Sequence, residues 1–263
     1  MKTRPIIFFD SGIGGLPYFA WLKEHLSSQS IYYIADRCYF PYGEKPIQEL
    51  KDHIIKTVHR VIREFDPSMM VIACNTASVV ALADLRMNFK IPFVGVVPAV
   101  KPAAQLTQTG IIGVLATKRT VDGPYLEQLI EKYASDKEVV RSAAGDIVDF
   151  VENRFFSASK EEREQSVRPA VERFHSSGAD VIVLGCTHFI YLAPYIQKVS
   201  GRRIRVIDSR EGVGKQALRV FTPLGLEKEE HPEFRFYMTG KTDKDKYQYF
   251  SHQFSLRFSG ELS

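Results

Sequence analysis

Two stretches far apart in the chain are built alike. Val71 to Ser78 reads VIACNTAS and Val181 to His188 reads VIVLGCTH, each a short β-branched apolar run ending in a cysteine that small or hydrogen-bonding residues follow. Continuous Val/Ile/Leu runs of this length suit parallel strands buried on both faces, and ligands of such sheets bind outside the carboxyl ends of the strands. The pattern therefore predicts an α/β chain that presents two thiols, Cys74 and Cys186, at equivalent strand ends, with the remaining elements bringing them to face one another across a small substrate.

The order of elements supports this. Pro5 to Phe9 reads as a strand running into Asp10-Ser11-Gly12-Ile13-Gly14-Gly15, a tight turn before a helix at Leu16 to Leu26. Glycines there let backbone amides approach a ligand, and the helix points its amino terminus at any anion. The G-x-G-x-x-G spacing of a dinucleotide fingerprint is absent, so a plain βα turn and a substrate-binding turn are the two readings, and Asp10 stands where a carboxylate could act. Ile31 to Ala35 is a second strand ending at Asp36, followed by the aromatic loop Arg37 to Lys45, whose Pro41-Tyr42-Gly43 can wall a pocket. From Pro46 to Phe65, Ile47, Leu50, Ile54, Ile55, Val58, Val61 and Ile62 recur near helical spacing, with His53 and His59 read as surface residues of that helix. Helix at Ala77 to Asn88 and strand at Pro92 to Val97 complete a first β-α series.

A second series begins with a strand at Thr109 to Ala116 leading into Thr117-Lys118-Arg119-Thr120. Helices follow at Pro124 to Tyr133, at Gly145 to Phe155 and around Arg168 to Ser177, then the Cys186 strand and a strand at Ile204 to Ile207. Taken alone, Glu152 in the second of these helices reads as a solvated residue. A helix at Glu211 to Phe221, a strand at Glu233 to Thr239 and a helix at Lys244 to Phe254 close the chain. The repeat predicts two doubly wound α/β domains, residues 1–97 with 208–263 and residues 98–207, the second interrupting the first.

Composition bounds the function. The 263 residues, 44% hydrophobic and 25% charged, are enough to bury a substantial core. The net charge of +4 is spread among acidic residues without a basic block, so no nucleic-acid partner is expected. The opening MKTRPIIFFDSG is too short in apolar residues for a signal peptide, and no run approaches the roughly 20 residues of a membrane span, which points to a cytoplasmic location. Three cysteines do not make a disulfide framework, and Cys38, in a loop, reads as an incidental thiol.

A thiol beside a histidine or at a helix amino terminus is readily converted to thiolate, a usable base or nucleophile. Cys74 precedes a helix start, and His188 lies two residues beyond Cys186. One such cysteine would suit a covalent nucleophile, as in thiol hydrolases. Two at corresponding strand ends suit a symmetric reaction in which one group removes a proton and the other supplies one from the opposite face. A cleft that binds an amino acid without catalysis is a further alternative. No metal is expected, since a structural zinc site usually wants four ligands in close pairs.

The motifs D10-S-G-I-G-G15, P41-Y-G43, A73-C-N-T-A-S78 and L184-G-C-T-H188, in this order, resemble those of the cofactor-independent aspartate/glutamate racemase family, and within it the glutamate branch. The resemblance implies two α/β domains related by a pseudo-twofold with the active site in the cleft between them, interconversion of L- and D-glutamate without cofactor, and supply of D-glutamate for peptidoglycan. It implies that Cys74 acts on D-glutamate and Cys186 on L-glutamate, that Asp10 and His188 assist these thiols, and that Asp36 and Glu152 are further acidic groups of the site. Ser11, Tyr42, Gly43, Asn75, Thr76, Thr117, Thr120 and Thr187 match substrate-binding positions, as do Asp10 and His188. Turnover of aspartate or another amino acid by the same route is the alternative, and a homodimer is left open. Phe189-Ile190 stands where the family commonly has Tyr-Pro.

Overall fold

The computed structural model describes residues 4–240 and 243–262. The opening stretch considered above for a targeting signal includes residues 1–3, which lie outside the described residues.

The chain divides into two compact units, Met1–Val96 with Arg210–Ser263 and Val97–Ser209. In the first, β1 (Ile6–Asp10), α1 (Leu16–His25), β2 (Ile31–Ala35), α2 (Ile47–Phe65), β3 (Met69–Ile72), α3 (Asn75–Asn88) and β4 (Phe93–Gly95) alternate along the chain. The second holds α4 (Val100–Leu106), β5 (Ile111–Ala116), α5 (Lys118–Val121), α6 (Pro124–Tyr133), β6 (Glu138–Ala143), α7 (Gly145–Asn153), α8 (Lys160–Ser177), β7 (Val181–Leu184), α9 (Ala193–Ser200) and β8 (Arg205–Ile207). The chain then returns to the first unit with α10 (Arg210–Phe221), β9 (Phe234–Met238), α11 (Lys244–Gln253) and β10 (Arg257–Glu261).

Every strand pairing is parallel. The first sheet runs β10-β9-β2-β1-β3-β4 and the second β6-β5-β7-β8, so β2-β1-β3-β4 and β6-β5-β7-β8 repeat one order, with β1 and β5 as centres. In each unit the chain leaves the central strand for a neighbour on one side and later returns on the other. That reversal opens a crevice at the carboxyl ends, where ligands of open parallel sheets bind.

Strand alternation sorts the side chains of the first unit. Ile7 and Phe9 of β1 with Tyr32 and Ile34 of β2 pack on Leu50, Ile54, Val58 and Val61 of α2 and Val80, Ala81 and Leu85 of α3. On the other face Phe8 meets Phe19 of α1 edge-on at 5.9 Å, and Tyr33 stacks on Phe236 of β9 at 5.3 Å. The sheet is thus covered on both sides. The second unit packs Ile112 and Val114 of β5 with Val181 and Val183 of β7 against α4 and α6. On its opposite face Phe174 of α8 lies over Gly113, so close that a Cβ on this glycine would fall 2.6 Å from the ring. Each large apolar side chain buried in this way contributes about 1.5–3 kcal/mol.

The helices start and stop for local reasons. Ser159 and Glu162 form a reciprocal capping box at the start of α8, and Gly178 ends it at φ 77°. α8 therefore begins well before the helix read around Arg168 to Ser177. α3 starts at Asn75 rather than Ala77, which leaves Cys74 as its N-cap residue. β6 (EVVRSA) and β10 (RFSGE) were not foreseen: both are edge strands, and their charged, half-exposed residues lack the apolar run that marks a central strand. α4 and α9, short helices after turns, were likewise missed. No helix among the described residues is long and apolar enough to cross a membrane.

α1 and α10 meet where the Trp21 indole lies directly over Gly214, and a Cβ built there overlaps the ring. Overpacking of this kind costs about 1–3 kcal/mol. Gly214→Val should lower the denaturation midpoint accordingly when unfolding is followed by far-UV circular dichroism; an unchanged midpoint would mean that Trp21 swings aside without loss.

Candidate active site

In the first unit the carboxyl ends of β1, β2 and β3 carry Asp10, Asp36 and, two residues beyond β3, Cys74. The turn after β1 is held by Tyr33, whose hydroxyl donates to the Gly12 carbonyl at 2.9 Å and accepts from the Gly15 amide at 3.1 Å. This draws Gly15 against the end of β3: a Cβ on Gly15 would lie 2.6 Å from that of Ala73, so no larger residue fits without moving the strand end. Asp10 is fully buried and accepts from the Gly12 amide at 2.8 Å and the Ser11 hydroxyl at 3.3 Å. The Ser11 hydroxyl also lies 3.8 Å from the Cys74 sulfur.

Cys74 is extended, at φ −130° and ψ 124°, and 6% exposed. The N–H groups opening the 14-residue α3 surround it with positive potential, which favours negative charge at this end. Next to it, Asn75 is 3% exposed, and neither its side-chain nitrogen nor its side-chain oxygen has a hydrogen-bond partner among the described residues. A buried amide left unpaired costs about 1–3 kcal/mol, so this group is poised for a polar ligand. Thr76 is buried beside it.

Asp36 is fully buried and accepts three hydrogen bonds, from the hydroxyls of Tyr42 and Thr239 and from His53 Nε2 at 2.6 Å. Burial pushes its carboxyl up, but the His53 contact together with the two hydroxyls outweighs burial and holds it below the ordinary aspartate range. Burial and the Asp36 charge push the Tyr42 phenol well above its usual value, so it stays a neutral donor. Gly43 follows in the same short 3-10 turn.

In the second unit the turn after β5 carries Thr117 and Thr120, whose hydroxyls are 3.2 Å apart, with Thr120 buried. Cys186 again stands two residues past its strand, β7, at φ −139° and ψ 136° and 6% exposed. Its sulfur lies 3.9 Å from His188 Nδ1, and His188 Nε2 is 2.8 Å from Glu152 Oε1. Glu152, from α7, is fully buried; Thr187 and His188 are buried too. Burial alone would lower the imidazole pKa, yet the contacts to Cys186 and Glu152 outweigh it and raise His188 from 6.5 to about 10. At neutral pH the ring is an imidazolium with one N–H toward the sulfur and the other toward the carboxylate. Phe189 and Ile190 are buried in the same 3-10 turn that carries His188.

Within the first unit the structure gathers Asp10, Ser11, Asp36, Tyr42, Cys74, Asn75 and Thr76, and within the second Glu152, Cys186, Thr187 and His188 with Thr117 and Thr120 at the neighbouring strand end. Two readings need correction. Glu152, taken alone as solvated, follows the buried Phe150 and Val151 and is itself 0% exposed. His53, read as a surface residue, reaches the buried Asp36. The available signal was its position one turn from both Leu50 and Thr57, at the border of the buried stripe of α2. Thr239 was not singled out, because nothing local links it to a residue 203 positions earlier. Cys38 is exposed, and His59 is exposed on α2.

Parallel sheets with a thiol and buried acids at corresponding carboxyl ends define a class of two-unit α/β protein, and comparison with known proteins identifies it. The chain belongs to the Asp/Glu/Hydantoin racemase family, whose model matches residues 20–212. Among its relatives, the glutamate racemase of Glaesserella parasuis serovar 5 is 39% identical over 81% of this chain and 79% of its own length. The crystal structure of Escherichia coli glutamate racemase with L-glutamate and the activator UDP-MurNAc-ala is 29% identical, with TM-score 0.89 over 99% of this chain and 98% of that one. That of the Francisella tularensis glutamate racemase with D-glutamate is 26% identical, with TM-score 0.82 over 100% of this chain and 97% of that one.

The His188–Glu152 pair has a signature of its own. Its stabilising contribution is fully present below pH 6.5 and is lost as pH rises through about 10, where the folded-state imidazolium gives up its proton. Glu152→Gln removes one of the two contacts that offset burial and leaves only that to Cys186, so the His188 midpoint should fall by about one pH unit in an NMR titration of the imidazole. A midpoint that stays put would show that Glu152 does not set the charge of the ring.

Proposed function

We propose that the chain interconverts L- and D-glutamate by a two-thiol proton transfer, in which Cys74 and Cys186 work on opposite faces of the α-carbon. The observation that carries this reading is the matched placement of two buried thiols, each extended two residues beyond a strand next to the centre of its sheet and each with its own polar partner. A nucleophilic hydrolase needs one activated cysteine, and a binding module needs neither. The glutamate racemases among the relatives, two of them crystallised with L- or D-glutamate, support the same substrate.

The α-proton of an amino acid is only weakly acidic. Removing it calls for a thiolate with little water around it, held in line with the C–H bond, and for donors that take up the charge developing on the carboxylate. Both cysteines are shielded from water to the same degree, at 6% exposure each. When Cys186 is the base, the His188 imidazolium stabilises its thiolate, and Cys74 returns a proton from the other face. In the reverse direction Cys74 is the base, with the Ser11 hydroxyl beside its sulfur and the start of α3 favouring the anion. The unpaired Asn75 amide, with Thr76 and Thr187, provides neutral donors for the substrate carboxylates. The thiols supply both acid and base, so activity should persist after exhaustive dialysis against chelator with no pyridoxal phosphate added. D-glutamate made in this way in the cytoplasm would serve peptidoglycan synthesis.

Purified protein incubated with L-glutamate in deuterated water should place deuterium at the α-carbon and generate the D-enantiomer with no net loss of glutamate. Cys74→Ser and Cys186→Ser should each abolish racemisation, because a serine hydroxyl is a far poorer base than a thiolate. Racemisation in both directions after either replacement would overturn the two-thiol reaction, and consumption of glutamate would point to a lyase or hydrolase. Aspartate, one methylene shorter, leaves buried donors unpaired, and kcat/KM should favour glutamate by at least roughly tenfold.

A further inference from the structure

The Asp36 cluster joins the thiol half of the first unit to its outer surface. Asp36 accepts from two neutral hydroxyls, of Tyr42 and Thr239, and from the imidazole of His53. Tyr42 in turn shares a buried cluster with Cys74, and the charges of Cys74 and Asp10 both act on its phenol. On the far side, His53 lines a cavity of about 770 Å³ together with Asp36 and Thr239, and its side chain is 20% exposed. Tyr39 stacks on the imidazole at 4.4 Å and Tyr42 meets it edge-on, which fixes the plane of the ring. Among the described residues, the other charged and titratable groups around this cavity are Lys56, His59, Arg60, Arg63 and Glu64 of α2, Cys38, and Glu261 of β10.

We infer that His53 is a positioning residue for the Cys74 half of the site: its Nε2–H keeps Asp36 a carboxylate, and that carboxylate holds the Tyr42 hydroxyl in place beside the thiol. Burial opposes the charge on Asp36, and the His53 contact is the largest influence acting against burial. Without the imidazole the carboxyl retains two neutral donors, burial gains the upper hand, and protonation moves to higher pH. A protonated Asp36 becomes a donor itself and no longer holds the phenol as a pure acceptor. The half-site then loosens on the acid side of the pH range and stays intact on the alkaline side.

This inference rests on the racemase reading only for its kinetic readout. In His53→Ala the acid limb of the kcat/KM profile should move up by about one pH unit, so that on the acid side of that limb the variant is roughly tenfold slower than wild type while nearly matching it at about pH 8.5. His53→Gln, which keeps a side-chain donor in place of the imidazole, should shift in the same direction by less. Imidazole added to His53→Ala should restore activity in part, because the ring faces an open cavity. A uniform loss at every pH, or no change, in both variants would overturn the inference. A second readout is independent of turnover: the carboxyl carbon of 13C-labelled Asp36 should titrate at higher pH in His53→Ala, and in His53→Gln if the alanine variant does not fold. An unchanged Asp36 midpoint overturns the positioning role whatever the enzyme does. Wild-type protein that fails to racemise glutamate overturns the proposed function, and the carbon titration then decides the role of His53 by itself.

Discussion

The last rung of each parallel ladder governs the rest of the site. The Ala73 amide donates to the Phe9 carbonyl and the Gly185 amide to the Leu115 carbonyl, both at 2.7 Å. One residue beyond each rung stands a cysteine, still extended but released from the sheet. A slip of one residue in either register would turn the thiol to the opposite face, because side chains along a strand alternate. The buried faces of β1, β3, β5 and β7 prevent such a slip, since it would also drive their apolar residues out of the core. The placement of the two thiols and the core packing are thus enforced by the same hydrogen-bonded registers, and the small residues Ala73, Gly15 and Gly185 leave room for the turns that close on them.

The buried acids obey one rule in three ways. A carboxylate removed from water must be matched by donors or by a charge. Asp10 uses the backbone of its own turn and the Ser11 hydroxyl. Asp36 uses three side chains from three separate parts of the chain. Glu152 uses the imidazolium of His188, which is kept protonated by that partnership and by the neighbouring thiol. The two halves therefore repeat in strand order but not in electrostatics: Cys186 has a cation 3.9 Å away, whereas Cys74 has a hydroxyl at 3.8 Å and a helix start.

Much of this was legible in the amino-acid sequence, for physical reasons. Central strands such as VIVL are apolar on both faces and stand out, and the thiols at their ends could be placed without coordinates. Helices with a clean apolar stripe, such as α2, were also evident. Edge strands were not, because β6 and β10 bury too little to need a continuous apolar run. The pairings hidden from view were those made across long separations: Asp36 with Thr239, and Glu152 with His188. Both depend on which elements the sheet order brings side by side, and composition does not encode that order. His53 was hidden for a different reason, since a histidine at the margin of an apolar stripe looks the same whether it meets water or a buried carboxylate.

The interrupted first unit sets the order in which this protein can be completed on the ribosome. Its central strands β1 to β4 are made first, but β9, which pairs with β2 along Ile31 to Ala35, emerges only after the whole of the second unit has been made. Until then β2 is an open edge, and Asp36 at its end lacks the Thr239 hydroxyl. The second unit is continuous and can close its own sheet while the first still waits. One half-site can thus be assembled during translation, and the other is finished only by the final stretch of nascent chain.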